Sequence, residues 1–209
     1  MILIVTAMES EAKDLKKGFQ EKVLFNNHKY YQGIINNKEV LLLITGVGKT
    51  NASTFLSSLL MKENIKSIIN IGYAGAKGNF KIGEAILVDN VTYGDVDVTA
   101  FTNYEKGQIP KMPKYFESDQ VMFNNFKKVI HKESLLYTQD QFVLSSEYDN
   151  ALFDMEGASF YQVAYLFNKP IIAIKLVSDL IGKKDQSEIY SDFEENSSSL
   201  IKELIYQVI

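Results

Sequence analysis

The sequence predicts an α/β protein, and three observations carry that reading. Unbroken β-rich apolar runs alternate with segments of helical period. Those runs do not alternate polar with apolar, which marks strands buried on both faces. Short stretches rich in glycine or carboxylates stand where strands give way to helices, around Glu11, Gly46, Gly72, Glu156 and Asp179. All five fall at one edge of the implied sheet, and in open α/β sheets that edge is the ligand crevice.

Taken in order, Ile2–Val5 is the first buried strand. Thr6-Ala7-Met8-Glu9 fits a capping box, with Glu9 reaching back, and Ala12, Leu15 and Phe19 give the next helix its apolar stripe. Glu11 is then left without a structural duty, in a first turn where a side chain can lean over the crevice; its competing reading is a solvated partner of the helix dipole. Val23–Phe25, Lys29–Ile35 and Val40–Thr45 read as strands, with Asn36-Asn37 as a hairpin turn. Gly46-Val47-Gly48-Lys49-Thr50 opens a helix through Leu60. It looks like a phosphate loop, but Leu43 stands where that pattern needs a glycine. The better reading is a tight turn whose backbone approaches a ligand.

Ser67–Ile71 is a buried strand ending in Gly72-Tyr73-Ala74-Gly75, again a place for close backbone approach. Gly83–Val91 is the next strand, Asp95–Phe101 a mixed segment, and Gly107–Pro113 an irregular loop. Gln120–Ile130 reads as a helix, and Leu135–Val143 contains a strand. Phe153-Asp154-Met155-Glu156-Gly157 sets Glu156 at the start of a helix that runs with its turn through Ala158–Pro170. One acid at a helix start is as readily a cap or dipole partner. Ile171–Val177 is a strand with Ser178-Asp179 at its carboxyl end, and Ser191–Val208 closes the chain as a helix. Without repeats or a low-complexity linker, residues 1–209 read as one domain.

Composition narrows the function. The 209 residues are 46% hydrophobic and 23% charged, with a net charge of −4. That balance argues against a nucleic-acid or anionic-membrane partner. There is no cysteine, so thiolate catalysis and disulfides are excluded. The two histidines, His28 and His131, stand beside lysines and read as surface residues, which leaves no histidine-rich metal site. No arginine occurs, so all 22 basic residues are lysines. No run reaches membrane-spanning length, and Met1–Ala7 is too short and uncharged for a signal peptide, so a cytoplasmic protein is expected. No cofactor is expected.

Six stretches together resemble the 5′-methylthioadenosine/S-adenosylhomocysteine nucleosidases of the purine nucleoside phosphorylase superfamily. They are Ala7-Met8-Glu9-Ser10-Glu11, Thr45-Gly46-Val47-Gly48-Lys49, Asn70-Ile71-Gly72, Asp97-Val98-Thr99-Ala100-Phe101, Asp154-Met155-Glu156 and Val177-Ser178-Asp179. The resemblance implies a three-layer α/β domain around a twisted mixed sheet, a small-molecule purine nucleoside as ligand, and a homodimer. It implies that Glu11 is the general base that activates water and that Asp179, supported by Ser178, protonates the purine. Glu156 would hold the ribose hydroxyls beside Met155. Phe142 and Val143 would stack on and read the base, and Met8 and Val47 would line the sugar. Val98 and Phe101 would be lent by the other subunit to the alkylthio pocket, with Tyr190 as a lid. Two carboxyls on opposite sides of an N-glycosidic bond suit this chemistry when their environments push their pKa values apart.

Four departures stand out, one of them Lys106, which extends the loop after Phe101 by a residue. Tyr73 replaces a small residue beside the ribose, either narrowing the pocket or pointing elsewhere. Lys175 stands where the family often has arginine, and the segment from Phe142 to Asp154 is short. Phosphorolysis, a related hydrolysis such as that of futalosine, and nucleoside binding with weakened catalysis are the alternatives. A phosphorolytic site would have to be built from lysines, which bind phosphate only as point charges.

Overall fold

A computed structural model of the chain describes residues 1–101 and 103–209. In chain order the first elements are β1 (Ile2–Thr6), α1 (Glu9–Ala12), β2 (Gln20–Phe25), β3 (His28–Ile35), β4 (Lys38–Ile44), α2 (Lys49–Lys62), β5 (Ser67–Lys77) and β6 (Ala85–Tyr93). They are followed by β7 (Phe116–Glu117), α3 (Gln120–Phe126), β8 (Glu133–Thr138), β9 (Ala151–Asp154), α4 (Gly157–Leu166), β10 (Ile171–Leu180), α5 (Gln186–Asn196) and α6 (Ser198–Val208).

The strands form one mixed sheet. β1 lies between β4 and β5, parallel to both, and β3 and β2 extend the sheet beyond β4 as antiparallel hairpins. Both hairpin turns are Asn-Asn pairs. Asn26 and Asn27 sit at φ 45° and 61°, Asn36 and Asn37 at 48° and 64°, as a type I′ turn requires. On the other side the sheet curls. β5 runs parallel to β10, while its far end, Gly75–Lys77, pairs with β9. β9, β8, β6 and β10 then pair in turn, so the path returns to β5 as a closed ring.

Period-two alternation explains why the strand runs carry no polar face. Leu3, Val5 and Ile68 point to the layer of α2 and α4, with Leu56, Leu59 and Phe160. Ile4, Ile69 and Ile174 point to the layer of α3 and α6, with Phe123, Ile201 and Ile205. Both layers are apolar, so both faces of the strand must be. Among the described residues no helix is long and apolar enough to cross a membrane.

Several expectations need correction. α1 is a single turn, not a helix reaching Phe19, and the chain turns back at Gly18, whose φ is 84°. The closing helix is two helices, broken at Ser197, whose hydroxyl bonds back to the Phe193 carbonyl. β9 has no counterpart in the sequence reading; its four residues are buried between β5 and β8. His28 is half-buried and not a free surface residue. Its ring stacks on Phe55 with centroids 3.5 Å apart, and its Nε2 donates to the Ile44 carbonyl at 2.7 Å. His131 is exposed, as expected.

Candidate active site

β5 does not end at Gly72–Gly75 but runs through to Lys77. The glycines are there because two carboxylates pack against the strand. A Cβ on Gly72 would lie 2.4 Å from Glu11 Oε1, and one on Gly75 3.0 Å from Asp179 Oδ2. The close approach expected of this stretch is therefore made by the protein's own side chains. Tyr73 lines the pocket, while its ring packs edge-on to Phe193 of α5 at 5.3 Å in the layer of α3 and α6.

Glu11 is 3% exposed and carries the capping duty that the sequence reading gave to Glu9. Its Oε2 accepts from the backbone N–H groups of Met8 at 2.8 Å and Ala7 at 2.9 Å, and its Oε1 from that of Tyr73 at 2.9 Å. Glu9 is exposed and paired with Lys16. The register decides this: the first helical residue is Glu9, so the third position of the turn, the one that can fold back on the cap, is Glu11. Burial pushes the Glu11 carboxyl up, against the Lys175 ammonium and the three N–H groups.

Asp179, 1% exposed, sits at the end of β10 beside the bulge between Val177 and Asp179. Ser178 Oγ donates to its Oδ1 at 2.6 Å, and Gln186 Nε2 to its Oδ2 at 2.7 Å. Burial raises this carboxyl too, opposed by those two donors. Both carboxyls are thus raised, so the expected separation does not appear as opposite directions; what differs is the donors.

Glu156 occupies the cap position of α4 but caps nothing with its side chain; its Oε1 accepts the Gly48 N–H at 2.6 Å. Burial, with the Asp154 carboxylate next to it, pushes Glu156 up to about 8 despite that bond and Lys175. The Gly46 turn gives its backbone to Glu156, and Lys49 is clamped on Asp95 at 2.6 Å and 2.7 Å. A phosphate cradle is therefore not what this turn builds.

A polar network lies under the floor. Lys175, 3% exposed in mid-strand, binds Asp154 Oδ2 at 2.9 Å, while Asp154 also accepts from Thr138 Oγ1 at 2.5 Å and from the Gly157 N–H at 2.9 Å. Burial alone would depress the Lys175 ammonium; Asp154, Glu11 and Glu156 outweigh it and hold it above the ordinary lysine value.

These groups converge on one pocket with about 580 Å³ of empty space, its mouth included. Met8, Glu11, Val47, Tyr73, Phe142, Val143, Met155, Glu156, Ser178, Asp179 and Tyr190 all line it, which gathers eleven of the thirteen residues singled out from the sequence. Tyr190 closes one side, its hydroxyl 3.4 Å from Met8 Sδ and its ring edge-on to Phe142 at 5.5 Å. Val98 and Phe101 do not line it; Phe101 is 67% exposed on the outer surface. Sequence reasoning gave no role to Gln186 or to the Lys175–Asp154 pair. The pair had a signal, a lysine inside an apolar strand run, which must find a buried counter-charge. Gln186, in a polar turn, had none.

The model of the phosphorylase superfamily matches residues 1–209. A 5′-methylthioadenosine/S-adenosylhomocysteine nucleosidase of Staphylococcus haemolyticus is 34% identical over 226 residues, covering 98% of this chain and 99% of its own. The chain belongs to that nucleosidase family, within the phosphorylase superfamily. The corresponding enzyme of Listeria monocytogenes is also 34% identical, over 87% of each chain. A Borrelia burgdorferi protein crystallised with adenine superposes with a TM-score of 0.90 at 34% identity over the whole of both chains. The Streptococcus pneumoniae nucleosidase, crystallised with a transition-state inhibitor, gives a TM-score of 0.91 at 26% identity over 99% of this chain and 97% of its own. As in other members of the nucleosidase family, the mixed sheet is flanked by helices.

Proposed function

We propose that the protein hydrolyses the N-glycosidic bond of 5′-thio-substituted adenine nucleosides, methylthioadenosine and S-adenosylhomocysteine, releasing adenine and the thioribose. The observation that carries this is the presence of two buried carboxyls in one pocket, each in its own set of donors. Glycosidic cleavage passes through an oxocarbenium-like state, in which the leaving base needs a proton and the anomeric carbon a nucleophile. Asp179, raised by burial, supplies the proton to the purine ring nitrogen. Glu11, fixed by three backbone N–H groups, takes the proton of the attacking water. Glu156 holds the ribose hydroxyls, and Phe142 and Val143 hold the base.

Hydrolysis is favoured over phosphorolysis because the pocket offers no cationic seat for phosphate. Among the described residues no lysine lines it, and Lys49 is already paired with Asp95. Chromatography of the products with and without phosphate tests this: free thioribose in both cases is expected, and a ribose 1-phosphate product overturns it.

The active unit is a homodimer in this reading. Phe101 and Val98 lie outside their own chain's pocket, and a large exposed aromatic in a polar loop fits a partner surface. Light scattering that finds a fully active monomer refutes this.

A further inference from the structure

Behind the pocket wall lies a side chain to which the reaction just described gives no part. Gln186, the first residue of α5, is 4% exposed and is not among the pocket's lining residues. Both N–H bonds of its amide are committed: Nε2 donates to Asp179 Oδ2 at 2.7 Å and to the Val143 carbonyl at 2.8 Å. Its Oε1 accepts the Gly182 N–H at 3.1 Å. Every polar atom of the amide is used, and its two donor contacts lead to two different walls of the pocket.

We propose that Gln186 is a positioning residue, a strut that fixes the proton-donating carboxyl of Asp179 relative to the Val143 backbone that reads the nucleobase. The proposal rests on the reading of Asp179 as the acid. An acid that must deliver its proton to one ring nitrogen needs a fixed distance to the edge holding the ring. Asp179 and Val143 come from segments far apart in sequence, and Gln186 bonds to both. Asp179 Oδ2 is held between this amide and Gly75, where any side chain would crowd it.

An amide N–H can only donate, so Gln186 favours the ionised form of Asp179 and opposes the burial that raises it. The strut therefore also limits how weak the acid becomes. The titratable groups sharing its pocket are Tyr190 on α5, Glu11 on α1, Tyr73 on β5, and Asp154 and Glu156 at the β9–α4 turn. None of these donates to Asp179; Ser178 and Gln186 do.

The test is the pH profile of kcat for Gln186→Met and Gln186→Glu, measured beside wild type and Asp179→Asn. Met keeps the length and removes both donors. Glu keeps the acceptor for Gly182 and puts a second carboxyl beside Asp179, so it serves even if the Met variant folds poorly. Both are expected to move the alkaline limb upward, by roughly one pH unit or more, because a hydrogen bond to a charged group is lost. Both should lose about tenfold in kcat at neutral pH, part of what an oriented acid contributes, with KM little changed. A purely structural role would lower the melting temperature and leave the limb in place. An unmoved limb in both variants, while Asp179→Asn loses its activity, overturns the strut and leaves the acid standing. Wild-type kcat in Asp179→Asn overturns the acid and the strut with it.

Discussion

The first βα turn and the end of β10 each bury one carboxylate against β5, and they do so by opposite means. Glu11 is held by the main chain, through the N–H groups of Ala7, Met8 and Tyr73. Asp179 is held by side chains, through Ser178 and Gln186. Backbone donors cannot rotate away, so they favour the ionised resting form of their acceptor. A hydroxyl can turn to accept, so the second site tolerates a carboxyl that gains and loses a proton. The comparison teaches that two groups raised alike by burial can serve as base and acid if their donors differ in freedom.

The sharpest break in the comparison is Asp179→Asn. The amide has no proton to give, and general acid catalysis contributes roughly 10²–10⁴-fold, so turnover should fall by that range. The Ser178 hydroxyl can readjust to the amide, so the melting temperature should stay near that of wild type. Steady-state rates on methylthioadenosine with a thermal melt check both halves; near-normal rates remove Asp179 from the mechanism.

Glu11→Gln should behave differently. One half of the new amide is an NH2 facing fixed backbone N–H groups, and at least one of those is left unsatisfied in a buried place. The cost is about 1–3 kcal/mol, together with a rate loss on the order of 10²-fold from the missing base. The sequence alone gives the contrary expectation of unchanged stability, because it assigns the cap to Glu9. A variant that melts like wild type while losing its rate would show that the three N–H contacts do not matter to the fold.

That misassignment shows what was legible. Unbroken apolar runs such as Ile2–Val5 and Ile171–Val177 read correctly, because burial on both faces forbids polar residues. Asp179 was legible from its place at the carboxyl end of a strand, and Ser178 as its support only through the family resemblance. The partners of Glu11 were not, because any residue has an N–H and a one-residue change of helix register moves the cap by a residue. Gln186 was hidden for a further reason: its partners, Asp179 and Val143, meet it only through tertiary packing. β9, four residues long, is held by its neighbours and not by its own pattern.

Glu156 lines the same pocket as the two carboxylates, and its own electrostatics bear on stability. Its folded value of about 8 lies above the ordinary carboxylate range, so the folded state holds its proton more tightly than the unfolded chain. The stability this gives is present below the unfolded value and lost as pH rises through about 8. The ligand-free protein should therefore melt at progressively lower temperature across that window, and Glu156→Gln should flatten the slope. For a chain of this size each kcal/mol is about 2–4 °C, so scanning calorimetry resolves it. An equal slope in the variant would place the proton elsewhere.

The smallest expected effect is the most discriminating. Glu9 and Glu11 are two residues apart, in the same turn, and carry the same charge. Glu9 is exposed and pairs with Lys16 across solvent, a kind of contact worth about 0–1 kcal/mol. It accepts no backbone N–H among the described residues, and it does not line the pocket. Glu9→Gln should leave the rate unchanged and shift stability by no more than about 0.5 kcal/mol. Adding salt should narrow even that difference, since an exposed pair is screened. Measured beside Glu11→Gln, it isolates the backbone cage, because both substitutions remove one charge from the same helix end. If Glu9→Gln lowered the melting temperature as much as Glu11→Gln, the effect would come from the helix dipole, which both acids feel, and not from the three N–H groups. A lost rate in Glu9→Gln with a retained rate in Glu11→Gln would move the base two residues back, to the solvent side of the turn.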